Sequence, residues 1–484
     1  MSARAQQTLG SAAVLAGAGM TLADRLAILY LALPVALFFF TWLKPVYGVP
    51  LGLAALAGLP ALRPPPGARV APPTLAAVAR LAFGWSALSN ASHFFYAGGA
   101  LNWPIRDAVL RDLVLYPQPA AYAVRDSAAV ILRAPIAYYL LPALGARALG
   151  LAHAHLLLYL WTALGVLLFL LQVAAGERRP GPLLLIGAVV VLFGGMDLLS
   201  PADSQPGPAG PWTPVFYQSS YNTNLLIGFP SHAIPGWLAI ALYYRCRDDP
   251  AFLRIAAWVG ALTLLWAPLV SVGLLPFCAA VAWRQRGARF RPLLSPCNLL
   301  AAPAVAAASA LYLTAAAGTI GSAIALPPGP GALLSVYGPF VLAEFGALAL
   351  ALLWSRPGGI DPPFFALALL TLLALPWFHF GPNNDLVNRG AIPALAVLMF
   401  AVVDGWARPP AVGGRGLLVG AMLLIGAAMP AARIAETILR PAWTPDLQRS
   451  LYEVTGGRSP NYLALLPPDS PLAALLRRPA PVPP

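Results

Sequence analysis

The chain has 484 residues, of which 59% are hydrophobic and only 10% charged, and its formal charge is +13. A soluble domain carries roughly 25% charged residues, and no water-facing fold hides so much apolar surface, so a soluble globular protein is excluded. The arginines behind the positive balance sit in short loops between apolar runs, which makes the charge an orientation signal and leaves no case for nucleic-acid binding.

Residues 1–23 hold Arg4 and small side chains but no apolar core followed by a cleavage site, so no removable signal peptide is expected. Apolar runs of about 20 residues, the length that crosses a hydrocarbon core, then recur. Spans are expected near 24–43, 48–62, 74–90, 150–174, 181–200, 224–244, 251–267, 269–284, 293–316, 335–354, 363–379, 389–407 and 415–434. The expected fold is therefore an all-α, polytopic integral membrane protein of about 13 transmembrane helices.

Residues 91–149 form the first large loop. Pro104 suits a first helical turn and Pro117 a stop, which predicts a short interfacial helix starting near Trp103. Residues 127–144 fit a span or an interfacial helix, and Arg133, Pro135 and Pro142 favour the interface. With that segment outside the bilayer and a cytoplasmic N-terminus, the loops holding Arg63/Arg69, Arg178/Arg179, Arg245/Arg247, Arg284/Arg286/Arg289/Arg291, Arg356 and Arg408/Arg415 all face the cytoplasm. The remaining polar loops, 90–149, 201–223, 317–334 and 380–388, then share the extracytoplasmic face. The division is a transmembrane domain over 1–434 and a small extracytoplasmic tail over 435–484. Lys44 is the one lysine among abundant Arg, Ala and Pro, the coding bias of a GC-rich bacterial genome, so a bacterial inner membrane is the expected location.

Three polar stretches stand out. The first runs from Asn102 through Trp103, Arg106, Asp107, Arg111 and Asp112, ending at Pro119. Asp107 and Arg111 are four apart and share a helix face. A carboxylate at a membrane surface can take a proton from a hydroxyl, and arginines can hold a phosphate bidentately; solvated charge pairs on an interfacial helix are the plainer alternative. The second holds Asp197, Gln218, Asn222 and His232, a set of hydrogen-bonding and aromatic groups suited to a sugar, or to an interfacial belt. His232 lies between Pro230 and Pro235, so a structural bond to a freed carbonyl is its other reading. The third is His379 to Pro393, in which Asn384 or Asp385 can cap a helix and Arg389 can hold a phosphate or snorkel to the interface.

Elsewhere, His153 and His155 are two apart and do not face one another on a helix, which argues against a metal pair. Glu344 falls within an apolar span, where a carboxylate is a functional candidate, for example a proton relay. Cys246, Cys278 and Cys297 show no disulfide or metal spacing, and the chain has no GxxxxGK[ST], HExxH or CxxC motif.

These stretches resemble a family of bacterial polytopic membrane proteins with a W-x-K-H-x-A-x-L-x-D-L pattern in the first large loop. That family also has an aromatic-Q-Y/S-S-x-N-T stretch before a P-x-H-A-x-P-G-W span, and an N-D-x-x-M-R-x-x-I-P-A-L entry to a late span. Here the patterns fall on residues 103–113, 217–237 and 384–395. The family in turn resembles the GT-C glycosyltransferases, which take sugars from polyprenyl-phosphate donors and use an acidic residue in the first large extracytoplasmic loop. Carried over by position, Asp112 matches the patterned acid and Asp107 falls where the pattern is free. The sequence departs from the pattern with Ile105-Arg106 for Lys-His, Asn102 for an acid and Asn388 for Met, which leaves both aspartates open as the base.

The resemblance implies transfer of a sugar from a lipid-phosphate donor to an extracytoplasmic glycan, lipid or protein. Asp112 or Asp107 would be the general base, and Arg106, Arg111 and Arg389 the phosphate ligands. Trp103, Asp197, Gln218, Asn222, His232, Asn384 and Asp385 would line the substrate pocket. Acidic residues are too sparse to demand a divalent metal, though one is compatible with the rim. The rival readings are a secondary transporter or lipid flippase working through Glu344, and a non-catalytic assembly subunit.

Overall fold

The computed structural model describes residues 19–62, 72–89, 103–123, 129–196, 221–286, 288–320, 322–324, 337–355, 360–381, 384–407, 414–439 and 446–482. It is a helical bundle. Seven stretches are long and apolar enough to cross a membrane: Leu22–Trp42, Pro45–Leu62, Leu151–Val173, Cys297–Thr314, Gly338–Ser355, Asp385–Ala407 and Gly416–Leu439. Shorter apolar helices occupy Thr74–Leu88, Pro180–Leu192, Ala256–Trp266, Pro268–Arg284 and Pro362–Trp377. The expected span at 181–200 is cut short: its helix ends at Leu192, where Phe193 turns to extended backbone.

Local chemistry sets the helix starts. Thr21 and Asp24 form a reciprocal capping box at the head of Leu22–Trp42. Proline stands in the first turn of Pro45–Leu56, Pro180–Leu192, Pro230–Arg245, Pro268–Arg284 and Pro362–Ala374, where its missing N–H is harmless. Aromatic stacks lock the middle of the bundle. Tyr30 stacks on Trp161 at 3.9 Å and on Trp266 at 5.3 Å, while Trp237 is stacked between Trp85 and Phe169.

The bundle has two distinct ends, separated by the roughly 30 Å length of a 21-residue helix such as Leu22–Trp42. At one end the Met20 N–H donates to Asp249 and Gln172 to Asp24, while Arg247 and Arg284 both reach Asp361, at 2.9 and 3.1 Å. The start of the first helix and the ends of Ala154–Val173, Pro230–Arg245 and Pro268–Arg284 therefore lie together there. At the opposite end the Lys44 N–H donates to Leu475 O and the Arg477 N–H to Trp42 O, fastening the C-terminal tail to the end of the first helix.

The tail is built into the first large loop. Strands β1 (Ala121–Tyr122), β2 (Val130–Leu132) and β5 (Leu463–Leu465) form one antiparallel sheet in the order β1-β2-β5, pairing Ile131 with both Ala121 and Ala464. β2 occupies part of the ambiguous 127–144 stretch and is followed by the short Ala137–Leu149 helix, so the segment is not one continuous helix. A second pair joins β3 (Ser322–Ile324) to β4 (Phe378–Phe380).

Candidate functional site

The interfacial helix forms at Trp103–Leu115. Arg147 ends it from the neighbouring helix, donating to the carbonyls of Leu113 and Tyr116, which have no partner inside the helix. Its first residue, Trp103, is fully buried and donates from Nε1 to the carbonyl of Ile227 at 3.0 Å. This bond joins the first polar stretch to the second.

In the second stretch, Gly228 and Pro230 break the chain into the helices Asn222–Gly228 and Pro230–Arg245, with Phe229 at the joint (φ −144°). The Phe229 ring is the meeting point of the site. The Arg106 guanidinium lies 5.5 Å from its centroid and 5.2 Å from that of Trp103. The Arg389 guanidinium, from the third stretch, lies 5.8 Å from the same Phe229 ring. Both positive charges also bear on the buried His232 ring, one turn along the Pro230–Arg245 helix.

The third stretch delivers Arg389 on the short helix Asp385–Gly390, entered through two left-handed residues, Gly381 (φ 77°) and Asn384 (φ 47°). Gly381 is dictated by space as well, since a Cβ there would sit 2.7 Å from the Asp385 carboxylate. Asn384 takes the N-cap position but makes no capping bond; its Oδ1 accepts from the Phe380 N–H. Asp385 pairs with Arg389 at 3.1 Å. On the far side, Gly273 lets the Pro268–Arg284 helix press on the turn, because a Cβ there would meet the Gly390 carbonyl at 2.0 Å.

Several buried polar atoms in this region make no hydrogen bond among the described residues: one terminal nitrogen of Arg106, Nε of Arg389, Nδ1 of His232, Nδ2 of Asn384 and both amide atoms of Asn388. Arg106 is only 4% exposed and has no carboxylate partner among them. Ring contacts return about 0.5–2 kcal/mol to a cation, less than the cost of burying a guanidinium without a counter-ion.

Beside the cationic cluster lies an acidic group. Asp107 is buried, with Oδ2 accepting from the Asp446 N–H at 3.0 Å and Oδ1 lying 3.8 Å from Nε2 of His155. The buried Tyr139 hydroxyl feels both neighbours. Burial raises its pKa, the Arg106 charge opposes that rise, and the Asp107 charge adds to it.

Asp112 is placed differently. It is fully buried; Oδ1 accepts from Arg111 at 2.7 Å, and Oδ2 accepts from the Tyr122 hydroxyl at 2.7 Å and the Leu451 N–H at 2.8 Å. Burial pushes its carboxyl above the ordinary carboxylate range, against the pull of these three donors. The residue clamps the tail to the loop.

Two more of the expected site residues are engaged away from the Phe229 cluster. Arg111 turns to Asp112 and Tyr116 rather than to its i−4 neighbour Asp107, because the buried Asp112 carboxylate holds it. Asn222 donates to the Val190 carbonyl at 2.8 Å, holding a helix crossing. Asp197 and Gln218 lie outside the described residues. Phe229, Tyr139, His155 and Asn388 are members of the region that the sequence reading did not assign to the site; the Gly228/Pro230 break flanking Phe229 was the available signal. Among the described residues no three His, Cys, Asp or Glu side chains gather as a metal site. The chain matches no protein-family profile, no curated protein and no solved structure.

Proposed function

We propose that the chain is a GT-C type membrane glycosyltransferase that moves a sugar from a lipid-phosphate donor to an extracytoplasmic glycan, lipid or protein. In this reading about 13 helices span a bacterial inner membrane, with the N-terminus in the cytoplasm and the Phe229 cluster at the outer rim. The observation that carries it is the convergence of Arg106 and Arg389 on one aromatic ring, with buried donors that have no partner among the described residues.

Arg106 and Arg389 hold the donor phosphate, and His232, Asn384 and Asn388 supply further polar contacts to the head group. Asp107 is the general base and takes the proton of the acceptor hydroxyl. The hydroxyl oxygen attacks the anomeric carbon, the bond from that carbon to the phosphate oxygen breaks, and the leaving phosphate keeps the electron pair beside the two guanidiniums. Asp112 and Arg111 act as anchors of the tail. A donor with its head group at the membrane surface suits a site built from loops at one rim, and it needs no nucleotide-binding domain.

One observation favours a transporter instead. Glu344 is buried within a π-helical turn, Leu342–Gly346, inside an apolar helix; π-helical turns recur at functional sites, and ionisable residues within spans at proton relays.

A strain lacking the chain, complemented with wild type, Asp107→Asn or Glu344→Gln, separates the two readings through its envelope glycolipid profile. The enzyme reading expects product from wild type and Glu344→Gln and none from Asp107→Asn at equal protein level. Full product from Asp107→Asn with loss in Glu344→Gln sinks it.

A further inference from the structure

At the end of the bundle opposite the Phe229 cluster, the Pro268–Arg284 helix runs out into Ala288–Leu294, a short 3-10 segment. The acids nearby are already committed. Asp248 pairs with Arg284, Asp361 with Arg247 and Arg284, and Asp249 with the Met20 N–H and its own helix start. Arg254, Arg286 and Arg291 are exposed and have no carboxylate partner among the described residues. Arg254 belongs to the same patch, since its carbonyl accepts from Ser295 Oγ and the carbonyl of its neighbour Leu253 accepts from the Asn298 amide.

Large apolar side chains stand beside these charges: Trp283 is 69% exposed and Leu300 70%, with Phe290 and Leu294 also outward. The Arg286 guanidinium lies 4.5 Å over the Trp283 ring, a platform with a cation on one face and an open apolar edge. A Trp and aliphatics prefer the boundary between head groups and acyl chains, and unpaired arginines there meet lipid phosphates.

We infer that this corner is a binding site for an anionic glycerophospholipid, with Arg254, Arg286 and Arg291 on the head group and Trp283 and Leu300 against the acyl chains. Orientation signalling alone requires only that arginines be present in the loop. It does not require that nearby acids be neutralised by other partners, nor that a guanidinium be seated on an exposed indole. The site is independent of the transferase reading.

The test uses the full-length protein, purified in a neutral detergent and titrated with phosphatidylglycerol or phosphatidylcholine of the same acyl chains, with bound lipid counted by native mass spectrometry. Phosphatidylglycerol is expected to be retained preferentially, and millimolar inorganic phosphate not to displace it. An arginine at a lipid surface contributes about fivefold in affinity, so the Arg254→Gln/Arg286→Gln/Arg291→Gln variant loses about a hundredfold of the preference. Arg478→Gln, an exposed arginine in the tail, keeps it. Equal retention of the two lipids, displacement by inorganic phosphate, an unaltered preference in the triple variant, or an equal loss in Arg478→Gln overturns the proposal.

Discussion

Replacing Asp112 by Asn separates an anchor from a catalyst. The carboxylate accepts from Arg111, Tyr122 and the Leu451 N–H, all within 2.8 Å. A carboxamide keeps one acceptor oxygen and turns an NH2 toward donors, so at least one of the three contacts becomes donor against donor. Hydrogen bonds to a charged group contribute about 1.5–3 kcal/mol, and a buried N–H left unmet costs about 1–3 kcal/mol. Losing the buried charge gives part of this back, since burial already raises the carboxyl's pKa. The net is about 2–3 kcal/mol against tail docking, which lowers hydrogen-exchange protection of the Leu451 amide about 30- to 150-fold. Exchange measured by mass spectrometry over 446–482 reads this directly, with Glu177→Gln, whose partners Arg178 and Arg179 lie far from the tail, as the control that leaves Leu451 protected. Wild-type protection of Leu451 in Asp112→Asn, together with loss of transferase product, would refute the anchor and restore Asp112 as the base.

Two further outcomes follow from geometry, one behind the turn that carries Arg389 and one at the opposite end of the bundle. Gly273→Val forces a side chain into the Gly390 carbonyl, where even a Cβ would lie at 2.0 Å; overpacking of this kind costs about 1–3 kcal/mol. It is expected to lower the Tm and weaken phosphate-lipid binding by displacing Arg389, and unchanged values of both would contradict that packing. Glu177 is held down to about 2 by hydrogen bonding to the Arg179 guanidinium, then by the Arg179 and Arg178 N–H groups. Its folded pKa lies below its unfolded one, so its stabilisation is complete above about pH 4.5 and fades as the pH falls toward 2. Glu177→Gln is expected to flatten that part of the stability profile, and an identical acid slope in the variant would show that the turn does not depend on this charge.

Much of the helix pattern was legible because hydrophobic length and proline position are local signals. Pro104 and Pro117 bracketed a helix that runs Trp103–Leu115, whereas residues 127–144, expected as one spanning or interfacial helix, divide into the strand Val130–Leu132 and the start of the helix Ala137–Leu149. The nearness of the first, second and third polar stretches followed from counting loops by side, a global property that composition does carry. The contacts within the site did not follow. The motif position that nominates Asp112 as a base is a local signal, whereas its partners Tyr122 and Leu451 arrive through a sheet whose strands have two or three residues, too short to leave a periodicity. Phe229 lay inside the second stretch but drew no site role, because the sequence does not show that two cations share its ring. His155 was judged against His153 as a metal pair, although its relevant neighbour is Asp107, on another helix. The π-helical turn at Glu344 changes the hydrogen-bond ladder without changing hydropathy, so no pattern announced it.

The account rests on Arg106 and Arg389 forming one buried site for an anionic head group. Titrating the purified protein with farnesyl phosphate, in parallel with the Arg106→Gln/Arg389→Gln variant, tests it most directly. Two charge-assisted contacts of about 1.5–3 kcal/mol each mean that the variant binds at least a hundredfold more weakly while keeping the wild-type Tm to within a few degrees. Equal affinity of the two proteins for farnesyl phosphate would contradict the account.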